Sequence, residues 1–233
     1  MNVERRYARS PIEFRAAKSG GVGTLAGYAA KYDTLSQNLG GFVETIQRGA
    51  FDKSLSDGLD VLARYNHDDS HLLGRTASGT VRLSSDDTGL MYEVDLPDTQ
   101  VGRDLAVLAA RGDVYQSSFA FYTVTDEWGV TEQGFPMRSL IATRLVDVAP
   151  VNTPAYLDTS SGLRSLAEAR GLSFDDVREA AEANRLGDLM TTAPVADEER
   201  SADEEIVETP QVENHGLVVI RQRLMQLQLR RPS

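Results

Sequence analysis

The stretch Gln116-Ser117-Ser118-Phe119-Ala120-Phe121 sets two hydroxyl groups at the head of a short run in which aromatic residues alternate with a small one. Alternation with a period of two predicts a β-strand that buries one face. Serine is a weak nucleophile unless a nearby base removes its proton. A catalytic role for either serine therefore requires a base that another segment brings to this strand.

His67 is the best-placed candidate for that base. It is one of three histidines in the chain, and it follows an apolar run over residues 59–65, whereas His215 lies in a polar segment. Because a short apolar run of this kind predicts a buried strand, we expect His67 at the end of a strand, from which its ring can reach across a sheet.

Asp147 is the candidate for a third group that would orient the imidazole. It interrupts the apolar stretch Leu145-Val146-Asp147-Val148-Ala149. Burying a carboxylate without a partner is costly, so Asp147 is expected either to face solvent by alternation or to accept hydrogen bonds from a group such as an imidazole. A serine, a histidine and an aspartate are thus all available at strand positions.

The sequence also allows these residues different roles. His67 and His71 stand four residues apart, which resembles a metal-binding pair when the segment is helical. This segment follows a predicted strand, however, and no further histidine or cysteine ligand lies nearby. Ser117 and Ser118 would also fit as polar residues at the start of a strand, and His71 would fit in a solvated loop.

The composition excludes several classes of function. The chain has 233 residues, no cysteine and a formal net charge of −11. Without cysteine it has no disulfide framework, no thiolate zinc site and no cysteine nucleophile. The negative charge argues against unassisted nucleic-acid binding, because phosphate contacts need a positive surface. We also expect neither a signal peptide nor a membrane span, since no run of about eighteen apolar residues occurs.

Short strands bounded by glycine, serine and aspartate clusters indicate a β-meander before residue 96. Thr99 is a predicted cap for a helix over residues 100–110, and Gly112 is its predicted stop. Two long strands follow, over residues 114–125 and 137–148, and the pairs Trp128-Gly129 and Gln133-Gly134 mark a hairpin between them. Ser173 begins a predicted helix with Asp176 in a capping box.

The charge pattern divides the rest of the chain. Seven acids and one arginine lie between Asp197 and Glu208, whereas the end of the chain is basic and has apolar residues at helical spacing. We therefore expect a lead-in over residues 1–21, a sheet-rich domain over 22–160, a helical extension over 161–187, an acidic disordered linker over 188–215 and a basic amphipathic helix over 216–233. The linker and final helix together suggest a docking arm.

Four motifs in this order resemble the prohead maturation proteases of tailed bacteriophages. They are Tyr65-Asn66-His67-Asp68 with Leu73-Gly74-Arg75, the Ser-Ser-Phe-Ala-Phe sequence at 117–121, the segment from Leu145 through Pro150-Val151-Asn152-Thr153-Pro154 to Tyr156, and the early segment from Phe42-Val43-Glu44 to Gly49-Ala50-Phe51-Asp52. The resemblance covers about residues 22–160 and does not extend to the tail.

The resemblance implies an α+β protein in which a small closed, mostly antiparallel β-barrel with flanking helices, similar to the herpesvirus assemblins, precedes a helical and partly disordered tail. It implies a serine endopeptidase whose barrel domain spans residues 22–160. Position by position, His67 matches the histidine of the Asn-His-Asp motif, Ser118 matches the serine before Phe-Ala-Phe, and Asp147 falls where the family often has glutamate. For the oxyanion hole, the candidate donor is a loop amide or a water fixed by Arg144 or Arg75, although either arginine would also fit a surface ion pair.

The same resemblance implies a biological setting. The peptidase would act inside the immature capsid in the host cytoplasm, cleaving the scaffolding region of the major capsid protein and also itself. Expected partners are the major capsid protein, the portal protein and further copies of the chain, without nucleic acid or membrane. We expect no cofactor and no metal. The alternative is a non-catalytic scaffold or assembly protein that retains the barrel.

Overall fold

A computed structural model of the protein describes residues 3–8, 10–18, 20–153 and 160–191. Runs of strands are interrupted by single helices and followed by three consecutive helices in these ranges, so the fold is α+β, as expected. The strands are β1 (Glu4–Ala8), β2 (Glu13–Ala16), β3 (Gly23–Lys31), β4 (Val43–Ile46), β5 (Leu62–Arg64), β6 (Leu72–Arg75), β7 (Val81–Ser85), β8 (Gly89–Asp95), β9 (Gln116–Val130) and β10 (Pro136–Val151). The helices are α1 (Asp52–Ser56), α2 (Gln100–Arg111), α3 (Ser160–Arg170), α4 (Phe174–Glu182) and α5 (Leu186–Thr191).

The strands form two sheets. The larger sheet has the order β1-β9-β10-β5-β6, with β4 also paired to β10, and the smaller sheet has the order β2-β3-β8-β7. Most pairs are antiparallel, but β4 and β5 both run parallel to β10. Because the strands in the described ranges join in two separate sheets, their pairing does not confirm the closed barrel that the resemblance implies.

Side chains from both sheets meet in one hydrophobic core. Leu25 and Tyr92 of the smaller sheet and Phe119 and Phe121 of the larger one are buried there. The rings of Phe119 and Phe121 stack with their centroids 5.0 Å apart. Successive side chains of a strand point to opposite faces, so this core turns Ser118 towards the other face of the larger sheet. The packing of two phenylalanines thus determines which serine faces away from the core.

The first strands lie in the segment that the sequence predicts as a lead-in. β1 pairs antiparallel with β9, and β2 pairs antiparallel with β3. Glu4 and Arg6 of β1 are buried because they form ion pairs with Glu44 of β4 and Arg138 of β10. Because β1 is buried through ion pairs, its sequence shows no alternation of apolar residues. The polar sequence of residues 1–21 therefore does not predict this strand.

The hairpin between β9 and β10 is longer than the sequence predicts. Trp128 lies within β9, where its ring packs against Phe42 at a centroid distance of 5.0 Å and its Nε1 donates to Ser165 Oγ. The chain reverses at residues 131–135, where Thr131 N donates to Phe135 O at 2.8 Å. The turn is therefore at Gln133-Gly134 alone, because Trp128 is held in the strand by its contacts.

Two predicted helix starts are confirmed. Thr99 Oγ1 accepts a hydrogen bond from Gly102 N, and α2 ends at Gly112 in the left-handed conformation, with φ of 83°. Ser173 Oγ accepts from Asp176 N at the start of α4. Capping side chains satisfy backbone N–H groups that have no partner within the helix, which is why these starts can be recognised in the sequence.

The three last helices pack around a second hydrophobic core that also contains Leu39 and Phe42. α5 continues to Thr191, four residues beyond the predicted end of the helical extension, because Leu186 is buried and Leu189 and Met190 pack beside it. The predictions of a disordered linker beyond residue 191 and of a basic helix over 216–233 lie outside the described residues. No helix in the described ranges is long and apolar enough to cross a membrane.

Candidate active site

His67 lies on a strained turn that follows β5. The turn spans Tyr65–His67, and both Asn66 and His67 have positive φ angles, 57° and 56°. A left-handed conformation costs a residue other than glycine about 1–2 kcal/mol. Asn66 Oδ1 accepts a hydrogen bond from Asn152 N at 3.1 Å, just beyond the end of β10. This bond ties the turn to the strand that carries Asp147.

Three neighbouring strands bring the candidate residues together. In the antiparallel pair of β9 and β10, Ser118 lies opposite Ala149 and Asp147 lies opposite Ala120. Asp147 is also opposite Leu62 of β5, the strand that leads into the His67 turn. The ladder between β9 and β10 is irregular between Leu145 and Asp147. Bulges of this kind re-aim a side chain, and the one here precedes the aspartate.

The structure joins the three side chains in one line of hydrogen bonds. His67 Nε2 lies 2.6 Å from Ser118 Oγ, and His67 Nδ1 lies 2.6 Å from Asp147 Oδ1. All three residues are buried. When Nδ1–H donates to the Asp147 carboxylate, the lone pair on Nε2 faces the serine hydroxyl. This is the order of groups that activates a serine for attack on a carbonyl carbon.

Asp147 remains ionised in this site. Burial alone would raise the pKa of Asp147, but the hydrogen bonds and charges of His67 and Arg64 outweigh it, so the pKa lies below its ordinary value. Arg64 Nη1 donates to Asp147 Oδ2 at 2.7 Å, the oxygen that His67 does not use. The carboxylate therefore has a partner on each oxygen and can hold the imidazole in one orientation.

Arg64 is a residue that the sequence did not single out. Its second nitrogen, Nη2, pairs with Asp69 Oδ1 at 3.0 Å, and its side chain is only 18% exposed. The sequence offered one indication of such a residue. A buried Asp147 has two carboxylate oxygens, and because His67 can bind only one of them, the other needs a second partner. The pairing of β5 with β10 then places the last residue of β5 within reach of the other.

Ser118 has a second partner that the sequence did not predict. Its Oγ lies 2.8 Å from the backbone oxygen of Arg6 in β1, with geometry for donation. A hydroxyl carries one hydrogen, so Ser118 cannot donate to Arg6 O and to His67 Nε2 at the same time. The side chain is also completely inaccessible, with 0% exposure.

The structure places Ser117 away from this group. Ser117 Oγ lies 3.0 Å from Tyr92 OH in the interior between the sheets. Burial raises the pKa of Tyr92, so this phenol stays neutral and is a poor base. Of the two serines, Ser118 is therefore the one beside an imidazole.

Neither a metal pair at His67 and His71 nor an oxyanion role for Arg75 or Arg144 is supported by the geometry. Both ring nitrogens of His67 are engaged by Ser118 and Asp147, so His67 has no nitrogen left for a metal. Within the described ranges, no three histidine, cysteine, aspartate or glutamate side chains cluster as metal ligands would. Arg75 pairs with Asp60, and Arg144 lies 4.6 Å from the Tyr122 ring centroid, so neither contacts the three side chains.

Comparison with known proteins gives one family. Residues 10–170 match the sequence profile described as caudovirus prohead serine protease. Among solved structures, the chain is similar to the bacteriophage T4 capsid assembly protease gp21, at 11% sequence identity and a TM-score of 0.47, over 64% of this chain and 96% of that one. No curated protein matches the chain in sequence.

Proposed function

This chain belongs to the caudovirus prohead serine protease family, and from that membership we propose that it is a serine endopeptidase in which Ser118, His67 and Asp147 are the catalytic residues. The observation that carries the assignment is the line of two 2.6 Å contacts from Ser118 Oγ through His67 to Asp147. The lowered pKa of Asp147 supplies the ionised carboxylate that this line of groups needs.

In the proposed reaction, Ser118 Oγ attacks the carbonyl carbon of a peptide bond while His67 Nε2 takes the hydroxyl proton. The tetrahedral intermediate collapses when the imidazolium gives that proton to the leaving amine. Water then attacks the acyl-enzyme with His67 again as base, which releases the acid and restores Ser118. Proton transfer by a positioned base of this kind contributes typically about 10²–10⁴-fold.

Asp147 and Arg64 have supporting roles in this scheme. The carboxylate fixes the tautomer in which Nδ1 carries the hydrogen, and it stabilises the imidazolium that forms during attack. Arg64 is a positioning residue that acts through Asp147, because its Nη1 holds the second carboxylate oxygen at 2.7 Å. The strained turn at Asn66 adds to this positioning by directing the His67 ring towards β9.

We propose the scaffolding region of the major capsid protein as the substrate, and the chain itself as a second one. The family description supports action in the prohead, and we propose that this takes place in the host cytoplasm. The portal protein and further copies of the chain are proposed partners. Both sheets enclose one core, which supports the proposal of a barrel-like protease domain over residues 22–160, to whose sheets β1 and β2 add from residues 4–16, followed by a helical extension from residue 161.

The test is co-expression of the chain with its capsid protein. We expect Ser118→Ala to abolish cleavage of the scaffolding region without loss of folding, because the smaller side chain removes only the nucleophile. Ser117→Ala is the matched control, since it changes the same atoms one residue away, and it should leave cleavage intact. Normal cleavage by Ser118→Ala, or its loss in Ser117→Ala alone, would show that the assignment is wrong.

One observation favours the second candidate, a non-catalytic assembly protein. Ser118 is buried and its hydroxyl also lies within hydrogen-bonding distance of Arg6 O, so the resting site does not receive a substrate as it stands. A fluorophosphonate that labels Ser118 in the wild-type chain, and not in Ser118→Ala, would reject this candidate. A complete absence of labelling under every condition would support it.

A further inference from the structure

The burial of Ser118 poses a problem of access. A nucleophile must approach the carbonyl carbon to about 3–3.5 Å, yet the Ser118 side chain has no exposed surface. Some neighbouring segment must therefore move before a peptide can react. The backbone in direct contact with the hydroxyl is that of β1, through Arg6 O at 2.8 Å.

β1 lies where an extended peptide would have to bind. It pairs antiparallel with β9, and Tyr7 is directly opposite Ser118. It is the end strand of its sheet, and its ladder is made with β9 alone. Its residues 4–8 also precede the region that matches the family, which begins at residue 10. Addition of a strand to a sheet edge is a common mode of peptide recognition.

Arg6 anchors this strand by its charge. Its Nε donates to Glu44 Oε1 at 2.8 Å, its Nη2 donates to Glu44 Oε2 at 3.0 Å, and its guanidinium lies 5.8 Å from the Phe121 ring centroid. If β1 leaves, Glu4 leaves together with Arg6, so the net charge of the buried set does not change, but Glu44 Oε1 loses the Arg6 Nε that donates to it. A buried carboxylate oxygen without a donor is costly, and a cationic side chain at this position of the replacing strand would satisfy it.

The structure also provides space beside β1. A cavity of about 390 Å³ lies next to the strand, and its lining includes Tyr7, Leu35, Gln37 and Ile46. The hydroxyl of Tyr7 and the side chain of Gln37 make the contact across it. The cavity gives β1 room to shift, and Ile46 and Phe119 of the core also line it.

We propose that β1 occupies the substrate-binding edge of β9, and that a substrate peptide replaces it as an extended strand with arginine or lysine in the position of Arg6. The carbonyl of that basic residue then lies at Ser118, where the Arg6 carbonyl lies now. This inference rests on the proposed function and adds the substrate class to it.

A reversible cross-link in the full-length chain tests the first half of the proposal. Arg5 and Ala120 are directly opposite each other in the ladder, where Cα separations of about 4.5–5.5 Å suit a disulfide. The chain has no cysteine of its own, so Arg5→Cys/Ala120→Cys gives one defined bond. We expect fluorophosphonate to label Ser118 in the reduced form and at least about tenfold more slowly in the oxidised form, since only the latter holds β1 in place.

The control is Arg5→Ser/Ala120→Cys, which keeps the cysteine at position 120 but cannot form the cross-link. Oxidant should not change the rate at which Ser118 is labelled in this control. Equal labelling of the oxidised and reduced double variant would overturn the proposal while leaving Ser118 as nucleophile. Labelling in neither the wild type nor any variant would instead refute the proposed function, so the two failures are distinguishable.

A second measurement tests the basic residue. Arg6→Gln removes the anchor, so its Ser118 should label faster than in the wild type, whereas Arg5→Gln, an exposed arginine on the same strand, should not. A peptide with the sequence of residues 3–9 should slow the labelling of Arg6→Gln. The same peptide with glutamine in place of Arg6 should compete about 10–100-fold more weakly, because it lacks a charge-assisted hydrogen bond. Equal competition by both peptides, or no gain in Arg6→Gln, would contradict the proposal.

Discussion

Replacing Arg64 with methionine tests how the carboxylate of Asp147 is held. Arg64→Met keeps an unbranched, flexible side chain, shorter than that of arginine, and removes the 2.7 Å bond to Asp147 Oδ2. A hydrogen bond to a charged, largely buried group is worth about 1.5–3 kcal/mol, which is a factor of about 10–100 in the equilibrium between the ionised and protonated carboxyl. The variant therefore raises the pKa of Asp147.

The sign of the pH effect follows from this change. At about pH 8 Asp147 stays ionised in both proteins, so the rate of Ser118 labelling by fluorophosphonate should fall only a few-fold, from poorer orientation of His67. As the pH falls towards the acid range, the variant protonates Asp147 sooner than the wild type does, so the loss of labelling relative to the wild type should grow. Arg64→Lys, which keeps the charge, should restore the labelling in the acid range.

Arg75→Met is the matched control for this prediction. Arg75 likewise forms an ion pair with an aspartate, Asp60, and it lies on the neighbouring strand β6, but it has no contact with Asp147. The rate of Ser118 labelling in Arg75→Met, relative to the wild type, should not change with pH. A loss in Arg64→Met that is constant between pH 5 and 8, or that Arg75→Met reproduces, would refute the claim that Arg64 acts through the carboxylate.

Three further changes give separate tests. Asp147→Glu should slow Ser118 labelling by at least about tenfold, because an added methylene in a packed site costs about 1–3 kcal/mol; labelling at the wild-type rate would mean that the site adapts. Asn66→Ala should lower the free energy of unfolding in urea by about 1–3 kcal/mol, because alanine is strained in the left-handed conformation and the bond to Asn152 is lost. Asn66→Gly should lower it less, because glycine adopts that conformation without strain. An equal loss of stability in both variants would argue against strain. Thr99→Ala should cost about 1 kcal/mol of stability through the lost helix cap and leave labelling unchanged; a change in labelling would contradict a purely local role.

The three candidate residues could be recognised in the sequence because each is a polar residue beside or inside an apolar run. Ser118 begins one, His67 follows one, and Asp147 stands inside one. Their convergence depends on how β9, β10 and β5 pair, which is a property of the fold, and their catalytic roles remain predictions. Arg64 could not be selected in the same way, because arginine at the end of a strand is usually exposed.

Structure could be predicted from the sequence where interacting residues are close in the chain, and not where they are far apart. Thr99 could be recognised as a cap because the group it binds, Gly102 N, lies three residues away. The strand β1 could not be recognised, because its burial depends on partners 38 and 134 positions away: Arg6 needs Glu44, and Glu4 needs Arg138. A charged residue predicts burial only when its counter-charge is already known.

Arg138 uses every nitrogen of its guanidinium at once. Nε donates to Asp126, Nη1 donates to Glu4 and Glu44, and Nη2 donates to Glu4 and Thr123. Lysine, with one ammonium, cannot span these positions. Replacing Arg138 would leave Glu4, Glu44 and Asp126 without this shared partner, so related sequences should change these residues as a group or not at all, and engineering of this chain should treat the set as one inherited unit.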